Sequence, residues 1–342
     1  MRANAFTQYG GPEVLQMRDL PDPEPRSHEV LVRVRACGVN HLDTWVRRGL
    51  PGIMPVMPHV LGSDVVGEVV ALGDGVHEVA VGMKTLVHPT LSCGACDACA
   101  AGNDNLCKSY DVLGRKSNGG YAELVAVPVR NCLPYPERLG WEEAAAAPLV
   151  FLTAWHMLMG RARLRPKEEV LIIGAGSGVG SAAIQVAKLF GAKVYATASG
   201  REKLARAEAL GADVLIDHAT EDIAARIREL TRRKGVEVVI EHVGGRVFEA
   251  GVESLAKNGR LVTCGATIGH KATIDLNVLF GKHLNLLGSW MGTRNEMLAV
   301  IGQLSGGTLK PVVDSVRPLA EAAAAHERLA SREHFGKIVL VP

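Results

Sequence analysis

Apolar and polar positions alternate in short runs through the first part of the chain. Residues 30–35 (VLVRVR) repeat with the two-residue period of a half-buried strand. Residues 64–72 (DVVGEVVAL) and 121–127 (YAELVAV) read the same way, and the first residues already alternate like a strand. Breakers fall between them, at 49–52, 73–75 and 119–120. This pattern predicts a small β-rich domain over residues 1–130. From about 168 the rhythm becomes strand then helix, repeated. Strands are predicted at 170–173, 193–198, 214–216, 236–240 and 261–264. Helices are predicted at 180–190 with Gly191 as C-cap, at 202–210 before Gly211, from 221 to 233 behind Thr220 as N-cap, and near 248–256. The strands are mostly continuous apolar runs, as strands buried on both faces must be. Such alternation predicts an α/β doubly wound parallel-sheet domain, placed at 131–294. Residues 336–341 are strand-like again, and 295–342 are expected to return to the first domain.

Composition narrows the function classes. The 342 residues carry 38 Lys and Arg against 36 Asp and Glu, with 47% hydrophobic and 22% charged positions. Those values exclude a disordered chain, a collagen and a coiled coil. A net charge of +2 without clustered bases gives no reason to expect nucleic acid or a membrane surface as partner. The most apolar stretch, 144–159, is interrupted by Pro148, Thr153 and His156 and reads as a buried helix. The N-terminus lacks a charged-then-apolar leader, so a cytoplasmic location is expected. There the seven cysteines should be thiols or metal ligands.

Four of those cysteines fall in one loop, Cys93, Cys96, Cys99 and Cys107, with the spacing C-x2-C-x2-C-x7-C. Four thiolates can surround one zinc ion tetrahedrally at about 2.3 Å each, and a site closed in this way holds a loop and does no chemistry. One structural zinc per chain is therefore expected. Four ordinary cysteines, a redox pair and an iron–sulfur cluster are the rival readings. Cys37, Cys132 and Cys264 are scattered and read as small buried packers.

A second motif, Gly174-Ala175-Gly176-Ser177-Gly178-Val179-Gly180, lies between a predicted strand and a predicted helix. A pyrophosphate would sit there on backbone N–H groups at the positive helix end. The strict G-x-G-x-x-G string is not met, because Val179 holds its sixth position. Cofactor choice turns on the tip of the next strand, where an NAD site usually carries Asp or Glu. Here the tip is Ala198-Ser199, followed by Arg201, Glu202 and Lys203. A small uncharged tip with two cations suits a 2′-phosphate, so NADP is expected, with NAD as the alternative.

Taken together, these motifs resemble the medium-chain dehydrogenase/reductase family, which includes zinc alcohol dehydrogenases and quinone oxidoreductases. The resemblance spans the whole chain. It runs through residues 36–43 (ACGVNHLD), 61–67 (LGSDVVG), 119–123 (GGYAE) and the glycine turn continued by Ala183, Gln185, Ala187 and Lys188. It implies a GroES-like β domain flanking a Rossmann domain, with the active site in the cleft. It also implies a homo-oligomer, dimer or tetramer, paired through the strand near 284–288. By resemblance, Thr153, His218, Gly244, Gly265, Ser289 and Lys337 join Gly174, Gly176, Ser177, Gly178, Val179, Gly180, Ser199, Arg201 and Lys203 around the cofactor, with Lys337 reaching the pyrophosphate.

The alcohol dehydrogenases hold a second, catalytic zinc. Carried over one position at a time, its ligands fall on Asn40, Ser63 and near Leu149, none of which binds zinc well. The chain thus resembles members that keep the structural zinc lobe and lack the catalytic ligands. Cys37, His41, His59 and His88 could rebuild a shifted site, though no spacing demands it. Without a Lewis acid, hydride transfer is best suited to an electron-poor acceptor such as a quinone, an enone or an activated carbonyl. Asn40 is the catalytic candidate, as a polar group on the acceptor or the nicotinamide ribose, with His41, Asp43 and Asp64 as weaker acid candidates. The alternatives are a zinc alcohol dehydrogenase with relocated ligands and a nucleotide-binding protein with little turnover.

Overall fold

The computed structural model describes residues 1–342. The chain divides into two compact units, Met1–Leu149 with Thr293–Pro342, and Val150–Gly292. The first crossing falls after Leu149, later than the boundary near 130 that the change of rhythm predicts. The reason is local. Strand Cys132–Pro134 pairs antiparallel with Lys84–Val87, and the short helix Trp141–Ala145 lies on strands Glu29–Gly38 and Asp64–Leu72.

The first unit is built on a seven-stranded sheet. Its path runs Cys132–Pro134, Lys84–Val87, Asp64–Leu72, Glu29–Gly38, Lys337–Val341, Val313–Pro318, and Leu124–Pro128 also pairs with Glu29–Gly38. The alternation at 30–36 buries Val30, Val32, Val34 and Ala36 against the core, while Arg33 and Arg35 face outward. Register then decides where the chemistry goes. Gly38 pairs with Asp64 on one side and with Val339 on the other. The end of one strand, the start of a second and the start of the chain's last strand are thus brought to one place.

The second unit is a six-stranded parallel sheet. In chain order its strands are Glu169–Ile173, Lys193–Ala198, Val214–Asp217, Val236–Glu241, Leu255–Thr263 and Asn285–Gly288. They lie in the order third, second, first, fourth, fifth, sixth. This is the doubly wound order, with its switch point between the first and fourth strands. Leu171, Ile173, Tyr195, Ile216, Val239 and Leu261 fill the core. Two local expectations need correction. Helix Ile223–Leu230 is capped by Asp222, whose carboxylate accepts from Ala225 N at 2.7 Å, and not by Thr220. The apolar stretch 144–159 is not one helix. Pro148 opens a separate helix, Pro148–Trp155, that runs into a wider turn at His156–Arg161. No helix is long and apolar enough to cross a membrane.

Candidate functional site

The glycine-rich turn joins strand Glu169–Ile173 to helix Gly178–Leu189 at the switch point. Gly174 has φ +76°, a left-handed value that favours glycine. A Cβ on Gly180 would lie 2.2 Å from Gly174 O, so the turn closes only without a side chain there. Ser177 caps the helix, its Oγ accepting from Gly180 N at 2.9 Å. The motif therefore makes a shallow backbone cradle at a helix N-terminus, the arrangement that receives a pyrophosphate.

Gly244, Gly265 and Ser289, like the glycine turn, follow the C-terminal ends of strands in this sheet. Two buried polar atoms at this edge, His242 Nδ1 and Ser289 Oγ, have no partner. A buried polar atom left unsatisfied normally marks an absent ligand or water. His242 was not foreseen from the sequence. Its Nε2 lies 2.6 Å from Ser177 Oγ, and burial pushes its pKa down to about 4, so the ring is neutral. Gly244, at φ +84°, donates to buried Glu241 at 2.6 Å. The donor set and the cradle fit a dinucleotide.

At the tip of the second strand, Ser199 and Arg201 are exposed and Lys203 is half-buried. His218 Nδ1 lies 3.2 Å from Thr197 Oγ1. Desolvation and the Lys203 charge hold its pKa below the ordinary range. Sequence reasoning missed a carboxylate here. Asp217 ends the third strand, pairs with Ala198, and accepts from Gly200 N at 3.2 Å. Thr153 is buried on helix Pro148–Trp155, with Oγ1 3.8 Å from Met291 Sδ.

In the first unit the four lobe cysteines converge. Their sulfurs all lie within 4.8 Å of one another, with Cys93–Cys107 at 3.4 Å, Cys96–Cys99 at 3.6 Å, Cys96–Cys107 at 3.8 Å and Cys93–Cys99 at 4.0 Å. A tetrahedron with bonds of about 2.3 Å has edges of about 3.8 Å. The backbone N–H groups of Cys93 and Ser109 point at Cys107 Sγ, each at 3.3 Å. The donor set fits one tetrahedral zinc. Next to the lobe, Asp104 accepts from Arg294 N at 3.0 Å, tying the lobe to the segment by which the chain returns.

The positions onto which the resemblance carries a catalytic metal site form a buried hydrogen-bond network. Asn40 and Asp64 are buried, and so is Lys337 at 4% exposure. Lys337 Nζ donates to Asn40 Oδ1 and Val39 O, both at 2.6 Å, and to Asp64 Oδ2 at 2.9 Å. Asn40 Nδ2 donates to Asp64 Oδ2 at 2.9 Å, and Leu149 N donates to Asp64 Oδ1 at 2.7 Å. Ser63 Oγ is spent on Leu113 O at 2.7 Å. Cys37, His59 and His88 are buried on separate partners and do not converge. The expected roles of Lys337 and Asn40 need revision. All three ammonium hydrogens of Lys337 are committed inside the first unit, which leaves none for a pyrophosphate. The Asn40 amide is turned toward Asp64, and direct contact with an acceptor does not fit that commitment.

Comparisons with known proteins agree with the two-unit fold. Residues 26–137 match the family profile described as alcohol dehydrogenase GroES-like domain, and residues 178–306 match the one described as zinc-binding dehydrogenase. The quinone oxidoreductase of Rattus norvegicus is 32% identical, covering 100% of this chain and 98% of its own length. A NAD-dependent alcohol dehydrogenase of Sulfurisphaera tokodaii is also 32% identical, covering 100% of both chains. A solved NAD-dependent alcohol dehydrogenase superposes with a TM-score of 0.97 at 46% identity, again over 100% of both chains.

Proposed function

The chain belongs to the medium-chain dehydrogenase/reductase family of zinc-type alcohol dehydrogenases and quinone oxidoreductases and is an NAD(P)-dependent oxidoreductase; we propose that it reduces quinones, enones or similarly activated carbonyls with NADPH and without a catalytic zinc. The observation that carries this reading is the donor set at the metal position. By the family resemblance the three zinc-ligand positions fall on Asn40, Ser63 and near Leu149, and a buried ammonium is bonded to the first of them at 2.6 Å. Neutral Asn and Ser are poor zinc ligands and Leu is none.

The nicotinamide, when bound, supplies the hydride. The protein's own part is to hold the dinucleotide on the Gly174–Gly180 cradle and to keep the floor formed by Asn40, Asp64 and Lys337 rigid. An acceptor that is already electron-poor needs placement more than activation. The alternative, an NAD-dependent alcohol dehydrogenase, draws support from Asp217, whose carboxylate sits beside the strand tip where a ribose 2′-OH would be read. Arg201, Lys203 and His218 favour the 2′-phosphate instead.

The four lobe cysteines are proposed to hold one structural zinc. A cytoplasmic homo-oligomer acting on a small molecule completes the reading. Its test is a zinc count per chain together with NADPH and NADH consumption over a panel of quinones, enones and primary alcohols. One zinc and faster turnover of quinones or enones with NADPH supports it. Two zinc ions with alcohol oxidation by NAD overturns it.

A further inference from the structure

The first unit contains a buried hydrogen-bond chain whose direction is fixed by its own donors and acceptors. We propose that Arg47, His326 and Tyr121 are positioning residues which orient Asp43, and through it the two segments that carry Asn40 and Gly62-Ser63-Asp64. That these segments form the reaction floor rests on the function proposed above.

The direction follows from elementary chemistry. A guanidinium has only donors. Arg47 Nε lies 3.3 Å from His326 Nδ1, so Nδ1 accepts. A neutral imidazole that accepts at one nitrogen carries its hydrogen on the other. His326 Nε2 therefore donates to the Tyr121 hydroxyl oxygen, 3.2 Å away. The hydroxyl hydrogen of Tyr121 is then free to go to Asp43 Oδ2 at 3.0 Å. Each link accepts on one side and donates on the other, from a buried cation to a buried carboxylate. Arg47 is 1% exposed and His326 and Tyr121 are fully buried, so the links are shielded from bulk water.

Asp43 spends its remaining capacity on backbone. Oδ2 accepts from Asn40 N at 2.7 Å, and Oδ1 accepts from Gly62 N at 3.2 Å. One carboxylate thus joins the start of helix His41–Arg48 to the turn before strand Asp64–Leu72. Tyr121 acts on that turn sterically as well. Gly62 has φ +103°, and a Cβ there would lie 2.5 Å from Tyr121 Cδ1. His326 comes from helix Ala322–Ser331, in the returning part of the chain. Apolar packing alone would be served as well by Phe and Leu at these positions. The polar atoms are instead paired end to end, and a buried one left alone costs free energy.

Around Asp43 the other charged or titratable groups are Lys337 on strand Lys337–Val341, Asp64 on strand Asp64–Leu72 and Cys37 on strand Glu29–Gly38. Arg47, Arg48 and His41 face His326.

The test is hydrogen exchange at the Asn40 and Gly62 amides in the full chain, without cofactor or substrate, for wild type, Tyr121→Phe, His326→Phe and His326→Gln. The two Phe variants should exchange these amides roughly tenfold faster while helix Gly178–Leu189 is unchanged. His326→Gln, which can both accept from Arg47 and donate to Tyr121, should restore wild-type protection. Wild-type protection in the Phe variants overturns the proposal, as does failure of Gln to rescue or a uniform loss across the first unit. Should the Phe variants fail to fold, the wild type serves alone. Protonating Asp43 near pH 5 must then loosen these two amides relative to their neighbours after correction for intrinsic rates, and unchanged protection overturns the idea. The pH profile of NADPH-dependent quinone reduction gives a further readout, its acidic midpoint moving upward in Tyr121→Phe. An unmoved midpoint counts against the proposal. Wild-type protein that consumes no NADPH would defeat the functional reading but leave the exchange result decisive.

Discussion

Lys337 Nζ lies 2.9 Å from Asp64 Oδ2, and both side chains are almost wholly buried, at 4% and 0% exposure. The pair is completed by Asn40 and Val39, so the charges are compensated and every ammonium hydrogen is used. Breaking a buried pair by removing one partner leaves a charge without compensation, which costs more than the pair itself is worth. Lys337→Met is therefore expected to lose about 3–5 kcal/mol of stability. The double variant Lys337→Met with Asp64→Asn should regain much of that loss. Urea unfolding of the four proteins of this cycle measures it, and additive losses would refute the coupling.

Loss of the zinc proposed for the lobe should act locally. Structural zinc contributes folding free energy on the order of 10 kcal/mol where the ligands come from one loop. Cys107→Ser, or a strong chelator, is expected to empty the site and make the loop around 93–107 susceptible to limited proteolysis. The second unit should keep its thermal transition. A loop that resists proteolysis without metal would show that the thiols hold it unaided.

The two cations behind the second strand make a claim about cofactor choice. Lys203→Ala is expected to weaken NADPH binding about tenfold, as loss of a charge-assisted contact would, and NADH little. Cofactor fluorescence titration measures both constants. Equal losses would transfer the specificity to Asp217 and so favour NAD.

Acid should destabilise this protein well above the range where carboxylates titrate. Burial lowers His326 to about 3 and His242 to about 4, below the ordinary histidine value of about 6.5. The unfolded chain therefore binds these protons first as pH falls. Their stabilising contribution is complete above about 6.5 and drains away as pH drops toward 3–4. Asp43 opposes this. Burial pushes it up to about 6, so over the interval from about 6 to 4 the folded chain takes up its proton more readily than the unfolded one. Burial raises Glu241 as well, but it also lowers His59, His88 and His218; five lowered imidazoles outweigh two raised carboxyls, and the urea midpoint should be lower at pH 5 than at pH 7. His326→Gln should flatten that slope. A midpoint unchanged or higher at pH 5 would contradict the histidine assignment.

What the sequence revealed and what it hid follow one physical rule. The four cysteines and the glycine turn were legible because each motif is local, so spacing alone places the atoms. The Asp64–Lys337 pair spans 273 positions and the Tyr121–His326 bond spans 205, and no periodicity encodes such contacts. Asp217 escaped notice because only parallel pairing sets it against Ala198. The boundary falls after Leu149 and not near 130 because Cys132–Pro134 joins the first unit through its pairing with Lys84–Val87, a partner that no local pattern names. Lys337 was assigned to the cofactor on resemblance, and its burial decides otherwise.

The seating of the last strand has a consequence for biosynthesis. The second unit is one unbroken stretch of chain, Val150–Gly292, and all of it has been made before the returning part of the first unit. The first unit cannot be completed then, because strand Lys337–Val341, inserted between Glu29–Gly38 and Val313–Pro318, follows the whole of the second unit in the chain. Until that strand emerges, a carboxylate and an open strand edge wait uncovered. Nascent chains stalled before residue 337 should be the ones that chaperones retain.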